Sequence, residues 1–150
     1  MSWLSNEVFK SVVAATPLVS IDLIVENEQG SILLGKRVNR PAAGFWFVPG
    51  GRVQKNETLD SAFQRLTREE LGSEFERNQA RFLGVYEHLY GDSVFGENPS
   101  THYVVLGYRL ITTESGLALP YQQHTEFQWW LPSRAISSEQ VHSNTKMYLS

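Results

Sequence analysis

Glu57, Arg65, Glu69 and Glu70 fall within one short segment, GRVQKNETLDSAFQRLTREELG, bounded by Gly51 and Gly72. Carboxylates gathered around a guanidinium suit the capture of a hard divalent cation, which takes oxygen ligands. Leu59, Ala62, Phe63 and Leu66 recur at i, i+3, i+4 and i+7, one apolar face of an α-helix that should pack on a sheet. Glu70 lies four residues beyond Leu66, on the same face. A carboxylate there is costly to bury unless it is paired or bound to metal. On the pattern alone Glu70 is a metal ligand, a paired acid or the solvated end of the stripe. Glu69 sits off the stripe and four residues after Arg65, where an ion pair is expected. Glu57 keeps two readings, a metal ligand or a support for the loop and helix N-terminus.

The elements that must position these groups follow from periodicity and turn signals. Residues 5–14 suit a short helix. Leu18–Glu26 (LVSIDLIVE) is rich in β-branched residues and predicts a strand, and the turn at Asn27–Gly30 leads to a second strand over Ser31–Arg37. Phe45–Val48 predicts a short strand that Pro49-Gly50-Gly51 should break sharply. Thr58–Leu71 predicts a helix capped by Gly72. Arg81–Tyr90, Thr101–Leu110 and Phe127–Leu131 read as strands, and residues 133–149 as a last helix. Strands around a central helix give a mixed α/β layered domain.

At 150 residues the chain is expected to be one domain, 1–150, with a real core. Hydrophobic content of 41% and a net charge of −3 fit a globular protein and give no sign of a nucleic-acid surface. With no cysteines, disulfides, zinc-thiolate sites and thiol catalysis are excluded, and the four histidines lack zinc-like spacing. No run approaches transmembrane length, and the first residues lack the order of a signal peptide, so a cytoplasmic location is expected.

The segment Gly51…Glu57…Arg65…Glu69-Glu70…Gly72 resembles the Nudix box, G-x5-E-x7-R-E-U-x-E-E-x-G-U with U apolar. The resemblance implies an α/β/α sandwich and Mg²⁺-assisted hydrolysis of nucleoside diphosphates linked to another group. One position departs from the box. Leu66 stands where the family carries Glu, in many relatives a metal ligand or part of the catalytic carboxylate cluster. The box favours Glu70 as a metal ligand, and fewer acids imply one Mg²⁺ per active site, with neutral oxygens helping, the Gly50 carbonyl among the candidates.

Outside the box, LVSIDLIVEN, LLGKRVNRPAAGFWFVPGGRVQK, THYVVLGYR and LPYQQHTEFQWW are similar to the GDP-mannose mannosyl hydrolases, atypical Nudix enzymes that share the loss at position 66. That resemblance implies cleavage of GDP-mannose to GDP and mannose, with attack on the anomeric carbon and inversion. A diphosphate leaves well once its charge is neutralised, and Mg²⁺ with guanidinium groups supplies this. Arg37 and Arg52 match the family's diphosphate-binding positions, and a planar donor fork suits that geometry. Arg65 is expected to orient the acids. Gln123 matches a neutral oxygen ligand to Mg²⁺. His124 matches the base that takes the water's proton, a role imidazole fills near neutral pH. Asp22 interrupts an apolar strand and wants partners, either sugar hydroxyls or structural hydrogen bonds. His88 and Tyr103, on the two middle strands, are candidates for contact with mannose or phosphate. Phe9, Phe45 and Trp46 could stack on guanine, although core packing suits most of them. Homodimers are implied by the resemblance alone.

Two other activities compete. An ordinary Nudix pyrophosphohydrolase would give GMP and a sugar 1-phosphate, against which Leu66 and the Gln123-His124 pair argue. A catalytically inactive nucleotide-binding Nudix module is disfavoured by the presence of Gly51, Arg52 and Glu70. The hexose, mannose or another, is open at this stage.

Overall fold

The computed structural model describes residues 4–120 and 126–149. Helix α1 (Asn6–Ala15) leads into strands β1 (Leu18–Glu26), β2 (Ile32–Lys36), β3 (Trp46–Phe47) and β4 (Gly50–Arg52). Helix α2 (Leu59–Leu71) follows, then β5 (Arg81–Tyr90), β6 (Thr101–Ile111), β7 (Phe127–Trp130), α3 (Pro132–Ser137) and α4 (Ser143–Lys146). The main path of the mixed sheet runs β3-β2-β1-β6-β5, with β4 also on β1 and β7 on β2. β1 and β6 are parallel along their whole length, from Leu18↔Tyr103 to Glu26↔Ile111, and the other pairings are antiparallel.

β1 is apolar on both faces because both faces are covered. Ile21, Leu23 and Val25 join Leu33, Phe63, Leu66, Leu71 and Leu110 in a core beneath α2. Ile24 points the other way, into a core with Ile32, Leu34, Trp46, Val48, Ala135 and Val141 beneath the C-terminal helices. The result is the expected α/β/α sandwich. Strand alternation also decides where Asp22 goes. It shares the face of Ile24, away from α2.

α2 begins where Thr58 accepts a hydrogen bond from the Ser61 N–H, and ends at Gly72 with φ 71°. Its stripe is buried as the periodicity requires, with Ala62 and Phe63 fully enclosed.

The expected break after the short strand is found, since β3 ends at Phe47, but Gly50-Gly51 is no plain turn and opens β4, paired as Asp22↔Gly50, Ile21↔Gly51 and Ser20↔Arg52. A Cβ on Gly50 would fall 2.4 Å from the Ile21 carbonyl oxygen, and one on Gly51 would fall 2.5 Å from Leu66 Cδ2. The glycines are there for close approach to a strand on one side and a helix on the other. The last helix is also not continuous. Between α3 and α4 the backbone instead pairs with β3, where Trp46 N–H donates to the Gln140 carbonyl at 2.8 Å and His142 N–H to the Trp46 carbonyl at 3.3 Å.

Candidate active site

β1 meets β2 at Glu26↔Ile32 but meets β4 along Ser20–Asp22, so its N-terminal half has parted from β2. The loop after β2 passes over this parting, and a cleft lies there. Ser20, Asp22, Arg37, Gly50, Arg52 and Tyr103 are among its lining residues, with His88 at its inner wall. The enclosed part is about 90 Å³. Ordinary ligand pockets are roughly 300–1,000 Å³, so this recess takes one end of a nucleotide-sized ligand. A second recess of about 240 Å³ shares Arg37, Pro41 and Tyr103 with it and is walled by Phe9, Val13 and Leu18.

Both arginines are held in place. Arg37 Nε donates to the Pro41 carbonyl at 2.9 Å, and its guanidinium lies 5.4 Å from the centre of the Phe47 ring. The Arg52 guanidinium lies 4.6 Å from the centre of the Phe9 ring on α1, a cation–π contact. Two guanidinium groups held over aromatic rings beside a polar recess have the chemistry to take an anion with several oxygens.

Arg65 organises the acids of α2. Its Nε donates to Glu57 Oε2 at 2.7 Å and its Nη2 to Glu57 Oε1 at 2.9 Å. Nη1 reaches Glu69 Oε2 at 3.1 Å, and Nη2 also holds the Arg52 carbonyl at 2.8 Å. Glu57 accepts a further bond from Gln54 N–H at 3.0 Å. The Arg65 hydrogen bond, ahead of burial, holds the Glu57 carboxyl below its usual range, and Arg65 is correspondingly raised. Both oxygens of Glu57 are thus occupied in bracing the loop and helix, one of the two roles open in the sequence.

Glu70 is half-buried, and its Oε1 lies 3.4 Å from Gly50 N–H, a long hydrogen bond that brings this carboxylate to the Gly50 backbone. Among the described residues no group of three His, Asp or Glu side chains converges to hold a metal. A divalent ion here would rely on Glu70 together with neutral oxygens such as backbone carbonyls, water and substrate phosphate. An all-oxygen set of that kind fits Mg²⁺ and not zinc. Gln123 and His124 lie outside the described residues.

Behind the cleft, Asp22 and His88, both candidates from the sequence, meet Tyr148, which was not one. Asp22, 16% exposed, accepts a hydrogen bond at Oδ2 from the Tyr148 hydroxyl at 2.8 Å. His88 lies beside it, with Nδ1 3.9 Å from the same oxygen and Nε2 3.5 Å from the Tyr148 hydroxyl. Burial raises the Asp22 carboxyl to about 7, against the opposing pull of Tyr148 and Arg37. Burial, with the charge of His142 second, lowers His88 to about 4, so its ring is neutral at physiological pH. Tyr103 pairs with His88 across β5 and β6, and burial raises its phenol. His142, which no sequence argument favoured, stacks on Phe47 at 4.8 Å and 23°. Tyr148 is a lone aromatic near the chain end, and no motif or spacing could have pointed to it.

An α/β/α sandwich whose central helix presents Arg65 and Glu70 to a Gly-Gly strand defines a Nudix fold. The Nudix domain family model matches residues 16–149, and the chain belongs to that family. It is 37% identical over 144 residues to the low-salt glycan biosynthesis protein Agl8 of Haloferax volcanii, covering 96% of this chain and 87% of that one. Over 70 residues it is 43% identical to an ADP-ribose pyrophosphatase of Methanocaldococcus jannaschii, covering 47% of this chain and 40% of that protein. In structure it is similar to a MutT Nudix hydrolase from Burkholderia pseudomallei, with a TM-score of 0.71 at 27% identity, covering 89% of this chain and 96% of that one. Nudix hydrolases act on nucleotide-linked substrates and generally use a divalent metal, usually Mg²⁺. No helix among the described residues is long and apolar enough to cross a membrane.

Proposed function

We propose that this Nudix hydrolase cleaves GDP-mannose, or a related GDP-hexose, to GDP and free sugar, with water attacking the anomeric carbon and inverting it. The observation that carries this reading is the cleft itself. It sets Arg37 and Arg52 beside Asp22 and Gly50, while position 66 is an apolar side chain packed on Gly51. Two cations and a sugar-sized polar recess fit a diphosphate leaving from a hexose. A depleted acid set fits chemistry that does not centre on phosphorus.

Arg37 and Arg52 hold the diphosphate and take up the charge that grows as the bond from the anomeric carbon to the diphosphate oxygen breaks. Asp22 accepts from a sugar hydroxyl at the closed end. His124 takes the proton as the water oxygen bonds to carbon. Glu70, the Gly50 carbonyl and Gln123 would hold one Mg²⁺, which when bound supplies further positive charge to the leaving diphosphate. The recess beside Phe9 is open to the nucleoside end. The relative named for glycan biosynthesis supports a sugar-nucleotide substrate, and the resemblance to mannosyl hydrolases supports a cytoplasmic homodimer. The relative named as an ADP-ribose pyrophosphatase favours a second reading, cleavage at phosphorus to GMP and sugar 1-phosphate.

Hydrolysis in ¹⁸O-labelled water separates the two. Label in the sugar is expected, whereas label in phosphate would establish the second reading, and no turnover with Mg²⁺ would leave a binding module. His124→Gln should lower turnover by about 10²–10⁴-fold with Mg²⁺ activation retained. An unchanged pH–rate profile would remove His124 as the base.

A further inference from the structure

Tyr148 reaches Asp22, in the wall of the cleft, from 126 residues further along the chain. Its ring is wedged edge-on against Tyr86, with centroids 4.7 Å apart, and lies over Gly107, where an added Cβ would come within 3.1 Å of Tyr148 Cε1. The ring is therefore held by packing, and its hydroxyl points at a fixed place. That place is Asp22 Oδ2, at 2.8 Å. The other carboxyl oxygen, Oδ1, lies on the Gly50 side, 2.7 Å from where a Cβ on that glycine would sit, and Gly50 lines the cleft. One oxygen is tied down from behind, and the other is presented forwards. His88 stands beside the tied oxygen at 3.9 Å, too far for a direct hydrogen bond to fix it.

We propose that Tyr148 is a positioning residue for Asp22. Its hydroxyl holds Oδ2 so that Oδ1 faces the cleft as an acceptor for a ligand hydroxyl, and it thereby selects the sugar end of the substrate. The catalytic part of this proposal rests on the activity proposed above, whereas the orientation of Asp22 does not. The Tyr148 hydroxyl meets Asp22 at 2.8 Å and His88 at the longer 3.5 Å, so its effect passes chiefly through Asp22. Recognition of the nucleotide end should be indifferent to it.

The test uses Tyr148→Phe, which keeps the ring and removes the hydroxyl, with Asp22→Asn and the double variant beside it. In Tyr148→Phe, kcat/KM for GDP-mannose should fall about ten-fold, the scale of one hydrogen bond to a charged group, while inhibition by GDP, which has no sugar, stays as in the wild type. The double variant should be no worse than Asp22→Asn, since two residues acting through one contact are not additive. Equal losses for GDP-mannose and GDP, or a double variant with multiplied losses, would overturn the proposal. A crystal structure of Tyr148→Phe gives a reading independent of substrate. Asp22 should turn from its wild-type rotamer, and an unmoved carboxyl would overturn the positioning role. If the wild type itself left GDP-mannose intact, the activity would fail and the crystal structure would still decide the role of Tyr148. Should Tyr148→Phe not fold, Gly107→Ala, which crowds the same ring, is read by the same crystal structure and the same GDP control. A displaced Tyr148 beside an unmoved Asp22 would again count against the proposal.

Discussion

Restoring the acid of the box at position 66 tests how the site is built. Leu66 is 3% exposed and packs among Ile21, Leu23 and Phe63, with Cδ2 against the Gly51 backbone. In Leu66→Glu a carboxyl would replace it in the core. Losing the buried leucine costs roughly 1.5–3 kcal/mol. A fully buried carboxyl is raised by about three pH units, and keeping it neutral at pH 7 costs about 1.4 kcal/mol per unit. The variant should therefore be less stable at pH 7 by about 4–6 kcal/mol, a large share of the ~5–15 kcal/mol of an ordinary domain. The pH dependence carries a definite sign. A folded carboxyl with a raised pKa binds more protons than the unfolded one, so the deficit should shrink by roughly 2–3 kcal/mol from pH 7 to pH 5. Urea denaturation at both pH values, with and without Mg²⁺, measures all of this. A deficit below about 1 kcal/mol at pH 7 with no pH slope would show that side chain 66 reaches water and not the core, and the packing argument would be refuted. A stabilisation by Mg²⁺ larger than the wild type's would show the new carboxylate reaching the metal site. The expected result is no such gain, with ¹⁸O from labelled water still entering the sugar.

Two further predictions follow from the site's charges. Arg65→Ala leaves Glu57, 13% exposed, without its chelating partner, and should cost about 3 kcal/mol with a parallel fall in activity; Arg65→Lys, which has no planar fork, should recover less than half of it by urea denaturation. A loss below about 0.5 kcal/mol, the scale of a surface change, would make the network ornamental. In the wild type, Asp22 raised to about 7 contributes stability that is full below pH 4 and is lost as pH rises to about 7, while His88 lowered to about 4 contributes stability that is lost as pH falls from 6.5 to about 4. The two slopes oppose each other between pH 4 and 6.5, so Asp22→Asn should unmask a stability that falls with acid; an unaltered pH profile would contradict the burial of Asp22.

The strongly periodic elements were legible. β1 is found over Leu18–Glu26 as read, and the central helix differs by its cap residue alone. Both follow from a repeat that a local window contains. What escaped depends on contacts outside any window. Gly50-Gly51 has the composition of a turn, and only the closeness of Ile21 and Leu66 makes it a strand. Residues 133–149 carry a helical pattern, but the backbone near Gln140 gains more by pairing with Trp46. In the site, Arg37, Arg52, Asp22, His88 and Tyr103 were each nominated singly, and the fold brings them to one cleft. Tyr148 was invisible because its partner is 126 residues away.

The two glycines explain how one short strand serves two layers. Alternation along β4 must send successive residues to opposite faces. Gly51 meets Leu66 and the core beneath α2, while Gly50 meets Asp22 on the cleft side. A side chain at either position would push β4 away from β1 or from α2. Glu70 could then no longer reach the Gly50 N–H, and Arg52, next along the strand, would leave its seat on Phe9. The acid, the cation and the proposed sugar acceptor are thus referred to a single stretch of backbone. That shared reference explains why the loss of one box carboxylate need not unmake the site. Position 66 contributes by holding Gly51, and a leucine does this better than a glutamate could.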